Sequence, residues 1–467
     1  MSMGRWKRER QQEFWLATSD VARAPQHVFY DRLGSLLREA GFDEFLEGLC
    51  EPFYADEIGR PGIPPGVYFR MLFLGYFEGL DSQRAIAWRC GDSLSLRAFL
   101  GFALNEPTPD HSSLSRVRDR LPLEVHEQAF AFMISIAEKK KLLKGRVAAV
   151  DSTMLEADAA MKSIVRKDTG EDWKKYLKRL MQEQGLIQEG DEPSNEELQR
   201  FDRNRKDKKV SNEEWKSPTD GDARIAKMKD GRTHLAYKAE HVVDLESEFV
   251  LAATVYHADQ GDADTLLPSL VAAQLNLIRA GSEAEIRDVP ADKGYHKNET
   301  LAELSGWGLR SYIPERKQKS RKWTGKPAEQ EAAYRANRRR VRGDRGKRLQ
   351  RQRSERVERS FAHVCRTGGA RRTWLHGLEK TGKRYLATVM AHNLGLVMRK
   401  LFGIGKPKEW AAARAALAAV LGALLAVFQS LPNAIWRESG TGRRFHRLPA
   451  TFQPMPSRST ILMELPA

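Results

Sequence analysis

Residues 233–258 read THLAYKAEHVVDLESEFVLAATVYHA. Two apolar, β-branched and aromatic runs, 233–244 and 248–258, flank the short polar stretch LESE. That is the texture of an antiparallel hairpin. A helix follows from Asp262 to Ala280, with Asp262 as its cap and Gly281 as its stop. Upstream, VAAVDST (147–153) is a short buried-strand run ending at Asp151. Downstream come a strand over 285–292, a helix over 297–306, a strand over 309–314, a helix over about 349–365 and another over 383–402. Strands alternating with helices around a hairpin predict an α/β fold with a mixed sheet.

Residues 1 to about 143 have a different texture. Pro64-Pro65-Gly66 opens an apolar helix, Asp81-Ser82 and Asp92-Ser93 open two more, and Asp110 caps HSSLSRVRDRL. This last helix carries Arg116, Arg118 and Arg120 beside three serines. The pattern fits a helix-turn-helix reader and an ordinary helical bundle alike. Residues 153–230 are highly charged, with an amphipathic helix in EDWKKYLKRLMQEQG, and read as an insertion. A second insertion is expected near 315–348, and 405–467 as a helical tail. Within that tail the apolar run 415–431 reads as a buried or partner-packing helix, somewhat short for a membrane span.

The 467 residues carry a formal charge of +16. Residues 315–359 hold 18 Lys or Arg against 6 Asp or Glu, a net of +12. Basic charge concentrated in one segment points to a polyanion, and so to nucleic acid. The three cysteines lie far apart and without CxxC spacing, which excludes a zinc ribbon or a disulfide framework. No apolar core follows the basic N-terminus, so no signal peptide is expected.

Three acids sit where metal-dependent phosphodiester chemistry needs them: Asp151, Asp292 in VPADKGY, and Glu358 in RSERVERSF. Hard divalent cations prefer oxygen donors, and converging carboxylates tolerate one another when a cation lies between them. Asp151 could equally cap a following helix. Asp288 competes with Asp292 but reads as a solvent-facing strand residue. At about 100° per residue, Glu358 lies roughly 60° from Phe361 and 100° from Val357, whereas Glu355 lies roughly 120° and 160° away. Glu358 thus borders the apolar face and Glu355 points to solvent. Asp259 and Asp262 read as capping residues, Trp323 as a surface-packing side chain, and His257, His363 and His392 as structural.

VAAVDST, VPADKGYHKNETL and RVERSFAHVCRTGGARRTWLHG together resemble the catalytic core of the DDE transposases of bacterial insertion sequences. PPGVYFRMLFLGYFEGLDSQRAIAWRC resembles the helical region found ahead of that core. The resemblance spans roughly residues 25–405. It implies an RNase H-like mixed sheet with helical insertions after an all-α N-terminal domain (1–143), the catalytic domain covering 144–404. It also implies that Asp151, Asp292 and Glu358 bind two Mg²⁺ ions, with Mn²⁺ as a substitute. The implied reaction cuts the ends of the element and joins the 3′-OH to target DNA. The implied partners are double-stranded DNA, as terminal inverted repeats and as target, and a second copy in a synaptic homodimer. The implied location is the bacterial cytoplasm, at the nucleoid.

Some relatives place Tyr and Arg before the glutamate and Lys after it. Here position 354 is Ser and Cys365 stands seven residues after Glu358. Arg351, Arg366, Arg371 and Arg372 are the candidates for phosphate contacts in their stead. Lys293 beside Asp292, and Arg116 and Arg118 in the N-terminal region, complete the expected DNA-binding set.

Overall fold

The computed structural model describes residues 27–55, 62–205, 211–228, 230–316 and 322–409. These belong to one compact unit, residues 1–412. The apolar 415–431 run lies outside the described residues.

Seven helices come first: α1 (His27–Ala40), α2 (Phe42–Cys50), α3 (Pro65–Glu78), α4 (Gln83–Asp92), α5 (Leu94–Leu100), α6 (His111–Arg120) and α7 (Leu123–Lys139). Their starts follow local chemistry. Pro65 occupies the first turn of α3, Ser82 Oγ accepts from Ala85 N at 3.2 Å, and an Asp110 carboxylate oxygen accepts from Ser113 N at 2.8 Å. α3 buries almost every residue because it is apolar on all sides.

The core follows: β1 (Ala148–Glu156), β2 (Val165–Arg166), α8 (Trp173–Glu183), α9 (Asn195–Asn204), β3 (Trp215–Lys216), β4 (Arg224–Lys227), β5 (Thr233–Asp244), β6 (Val250–His257), α10 (Asp262–Arg279), β7 (Asp288–Pro290), α11 (Asn298–Gly306), β8 (Arg310–Tyr312), α12 (Ala328–Arg342), α13 (Asp344–Phe361) and α14 (Leu378–Phe402). β5 is the spine. It pairs antiparallel with β1 on one side and with β6 and β4 on the other. Parallel bridges Val147–Asp288 and Val150–Ala291 join β1 to β7, which pairs in parallel with β8. The order β6–β5–β1–β7–β8, antiparallel on one half and parallel on the other, is the mixed α/β arrangement expected.

Several boundaries differ from the sequence reading. Asp151 is not at a strand end. β1 runs on to Glu156 because twelve-residue β5 pairs with all nine of its residues. β7 is shorter than expected, and Asp292 stands two residues beyond it. α13 begins at Asp344 and passes into a π-helical turn, Ala362–Thr367. The basic stretch after Pro314 is mostly two packed helices, α12 and α13. They meet at Gly346, where a Cβ would collide with the Arg340 carbonyl.

α10 covers one face of the sheet and α13 crosses the other. Apart from half-buried Arg384, α14 is buried from Thr381 through Met398 and packs against α3, α7 and β6. One continuous apolar core therefore joins the N-terminal helices to the sheet. The insertion helices α8 and α9 have a small core of their own, Leu177, Met181 and Leu198. The three cysteines are buried and form no disulfide. No helix among the described residues is long and apolar enough to cross a membrane.

Candidate active site

The Val150–Ala291 bridge sets Asp151 and Asp292 side by side on neighbouring chain segments. α13 lies over them. Its buried stripe is Gly346, Leu349, Arg353, Val357 and Ser360, the i, i+3, i+4 spacing of a helix face. Val357 is fully buried, which contributes about 1.5–3 kcal/mol. Ser360 Oγ lies 2.9 Å from His241 Nδ1, and Phe361 stacks on the same imidazole at 4.1 Å. Gln350 Nε2 donates to the carbonyls of Ala291 and Tyr312 at the strand ends. These contacts fix both the rotation and the register of α13.

Arg353 is the charged member of the stripe. Its Nη1 donates to Asp151 Oδ2 at 2.8 Å, and its Nη2 lies 3.9 Å from Asp292 Oδ1. One guanidinium thus counters both aspartates. Arg351, not Arg353, is the phosphate-contact candidate that the sequence offers on this helix. The available signal for Arg353 was its place four residues before Val357, on the apolar face.

Glu358 does not join this pair. It is exposed on the flank of α13, with Ser354 Oγ 3.5 Å from its Oε1. Glu355 is exposed too, but it is paired with Arg359, which also contacts Glu248 at 2.9 Å. Glu358 has no ion-pair partner among the described residues. Nor is any group of three His, Cys, Asp or Glu side chains there close enough to hold a metal ion. Asp151 and Asp292 offer an all-oxygen donor set already organised around a cation, as a divalent ion requires.

A second layer holds the pair from behind. Lys238 and Glu240 project from β5 onto the α10 face, both fully buried. Lys238 Nζ lies 2.9 Å from Asp262 Oδ1, and Ser152 Oγ donates to the same oxygen at 3.0 Å. Thr265 Oγ1 and Tyr295 OH donate to Glu240 Oε2 at 2.8 and 2.7 Å. Burial pushes the Glu240 carboxyl above its ordinary range, and Lys238 and these donors oppose the shift. The network ties the residue after Asp151 to the turn after Asp292. Gly294 belongs to that turn, and a Cβ there would run into the Asp262 carboxylate. Asp262 was expected to cap α10. It is an ion-pair partner instead, and Gly261 takes the cap position. Asp288 was expected to face solvent, yet it is 2% exposed because Arg310 and Arg345 converge on it.

Of the expected DNA-binding residues, Arg116, Lys293, Arg351, Arg366 and Arg372 are exposed and Arg371 is half-buried. Arg118 is turned inward beside Leu114 and Val117 on the packed face of α6. The Arg366, Arg371 and Arg372 segment adjoins the far end of β1, where Glu156 N donates to the Arg371 carbonyl at 2.9 Å. Trp323 packs near Tyr334, as expected of a surface-packing side chain.

A family model described as Transposase DDE domain matches residues 143–394, more than half of the chain. The chain belongs to the DDE transposase family. A second model, Transposase domain (DUF772), matches residues 20–120 of the same transposase, over most of the N-terminal helices. No curated protein and no solved structure matches it. The matched core contains Asp151, Asp292 and Glu358, together with Arg353 and the Lys238–Asp262 network. The transposase is accordingly a DNA-binding enzyme of strand cleavage and transfer.

Proposed function

We propose that this transposase cuts the ends of an insertion sequence and joins the freed 3′-OH to target DNA, using Asp151, Asp292 and Glu358 as the carboxylates of a two-metal site. The observation that carries this reading is Arg353 lying between Asp151 and Asp292: the pair already accommodates a cation. When bound, divalent ions of the Mg²⁺ or Mn²⁺ type would activate the attacking oxygen and stabilise the leaving one. Asp151 would serve both ions, and Asp292 and Glu358 one each. The buried Lys238–Asp262–Ser152 contacts would keep Asp151 oriented, as outer-shell partners of metal ligands do.

Arg351 shares a flank of α13 with Ser354 and Glu358 and has no ion pair among the described residues, which suits it to a backbone phosphate near the reacting bond. Lys293, Arg366, Arg371 and Arg372 would extend that track. Within the N-terminal domain (1–143), Arg116 on α6 would contribute to terminal-repeat recognition. Cutting both ends together calls for two copies in a synaptic complex, acting on DNA in the bacterial cytoplasm.

The test is Asp151→Asn in a Mg²⁺ cleavage assay on the flanking DNA of the gene's own locus, with Ca²⁺ as the non-supporting ion. Cleavage should vanish while end binding persists, and wild-type protein given pre-cut ends should yield strand-transfer products. Retained cleavage by Asp151→Asn would sink the carboxylate assignment. Cutting without transfer would reduce the reading to a nuclease.

A further inference from the structure

A cavity of about 40 Å³ lies between α3, α6, the 368–375 segment and α14. Tyr68, Tyr76, Arg118, Gly368, Trp374 and Arg384 are among its walls. One water needs roughly 10–15 Å³ of such space, so the cavity holds several waters or one small polyatomic ion. It shares no residue with the Asp151–Asp292–Glu358 constellation.

The unusual wall is Arg118. Its side chain is 9% exposed, and its Nε and Nη1 are buried without a hydrogen-bond partner among the described residues. A guanidinium has five N–H donors and no acceptor, so a silent Nη1 in a buried site calls for an acceptor. The nearest carboxylate, Asp119, stands 3.6 Å from Nε and is also engaged by Lys380 at 3.2 Å. Tyr68 and His126 adjoin this pocket and bond one another at 3.1 Å. Burial raises the phenol pKa and depresses the imidazole to about 3, so both stay uncharged beside Arg118.

Arg384 supplies a second inward charge. It spends Nη1 and Nη2 on the carbonyls of Arg372 and Gly369, at 2.9 and 2.8 Å, and stacks on Trp374 at 3.5 Å. Burial lowers its pKa to about 10 although Asp81 opposes the shift. Asp119 balances Arg118 from 3.6 Å but is about half exposed and shared with Lys380, Asp81 acts on Arg384, and Glu379 is paired with Lys383. The cavity therefore has two arginines in its walls and, at Arg118 Nη1, a buried donor without a partner among the described residues.

We propose that this cavity binds a tetrahedral oxyanion of the phosphate or sulfate class, whose oxygens accept from Arg118 Nη1, with Arg384 as the second charge. Charge-assisted hydrogen bonds from a guanidinium to a tetrahedral oxyanion are among the strongest a protein makes. The ion braces α6 of the N-terminal helices against α14 and the segment that carries Arg371 and Arg372. Its source is either free phosphate or one backbone phosphate of bound DNA.

The experiment is thermal melting and ³¹P NMR of the full chain in phosphate or sulfate against chloride at matched ionic strength. The wild type should show a saturable, oxyanion-specific rise in melting temperature. Arg118→Gln should weaken it about tenfold or more. Asp151→Asn should keep it, which separates this site from the catalytic reading. Competition by duplex DNA for the phosphate signal assigns the anion to the DNA backbone, and its absence assigns it to free phosphate. Should Arg118→Gln fail to fold, Arg118→Lys and the wild-type titration still decide. A wild type that melts identically in all three salts, with no phosphate signal change, holds only water there and overturns the proposal.

Discussion

Arg353 Nη1 lies 2.8 Å from Asp151 Oδ2, so the most buried cation of α13 rests on the first aspartate of the candidate site. Asp292 stands 3.9 Å from the other terminal nitrogen. Removing the guanidinium leaves two neighbouring carboxylates without their common countercharge. Arg353→Gln is expected to destabilise the metal-free protein by about 1–3 kcal/mol, less than a fully buried pair because Asp151 and Asp292 are partly exposed. A divalent cation should then stabilise the variant more than the wild type, where it must displace Arg353. Melting curves with and without Ca²⁺ measure both effects. Equal calcium shifts in the two proteins would show that Arg353 does not occupy the cation position.

Glu358 and Glu355 are one helical turn apart, both exposed, and differ in their partners. Glu355 is committed to Arg359, while Glu358 contacts Ser354 alone among the hydrogen-bonding groups described. Glu358→Gln is expected to lower Mg²⁺-dependent cleavage by about 10²-fold or more, the scale of losing one group that stabilises developing charge. Glu355→Gln should stay within a few-fold, since an exposed i, i+4 pair is worth only about 0.3–0.5 kcal/mol. Single-turnover cleavage of a labelled end reports both. A larger loss for Glu355→Gln would reverse the assignment.

The hairpin, the α/β order and the helix that ends the basic stretch were legible because they follow from apolar periodicity and turn residues, whereas α12 within that stretch was not. What escaped were charges buried by distant partners. Asp288 reads locally as a polar strand residue, but Arg310 and Arg345 come to it from 22 and 57 positions away. Arg118 and Arg353 occupy apolar-face positions of their helices. A reading that sorts residues by polarity places them on the outside. Asp151 looked like a strand end because the apolar run stops there. Its strand continues through Ser152 and Thr153 because β5 offers an unbroken partner, which local propensity does not encode.

Arg348 and Arg351 lie on the outer side of α13 and have no ion pair among the described residues, whereas Arg335 on α12 is held by Glu331. If the outer side of α13 follows a DNA backbone, each unpaired arginine releases counterions on binding. Arg351→Ala and Arg348→Ala should each reduce the slope of log K against log salt by about 0.9, and Arg335→Ala by less. Duplex binding at four or more salt concentrations provides the slopes. Unchanged slopes for Arg348→Ala and Arg351→Ala would move the DNA path away from this helix.

His126 and His241 should make the fold acid-sensitive. His241 sits between Ser360 Oγ at 2.9 Å and Tyr385 OH at 2.7 Å. His126 donates from Nδ1 to the Pro122 carbonyl at 3.2 Å, which leaves Nε2 to accept from Tyr68 OH. Burial lowers each imidazole from the ordinary 6.5 to about 3. Below pH 6.5 the unfolded chain takes up protons that the folded chain refuses, so stability is full above that pH and is lost as pH falls toward 3. At pH 5 the loss should be about 2 kcal/mol per histidine. Urea unfolding at pH 7 and pH 5 tests this, with His241→Phe predicted to lose one histidine's share of the difference. Equal unfolding free energies at the two pH values, or an unaltered difference in His241→Phe, would refute the neutral buried imidazole as the source.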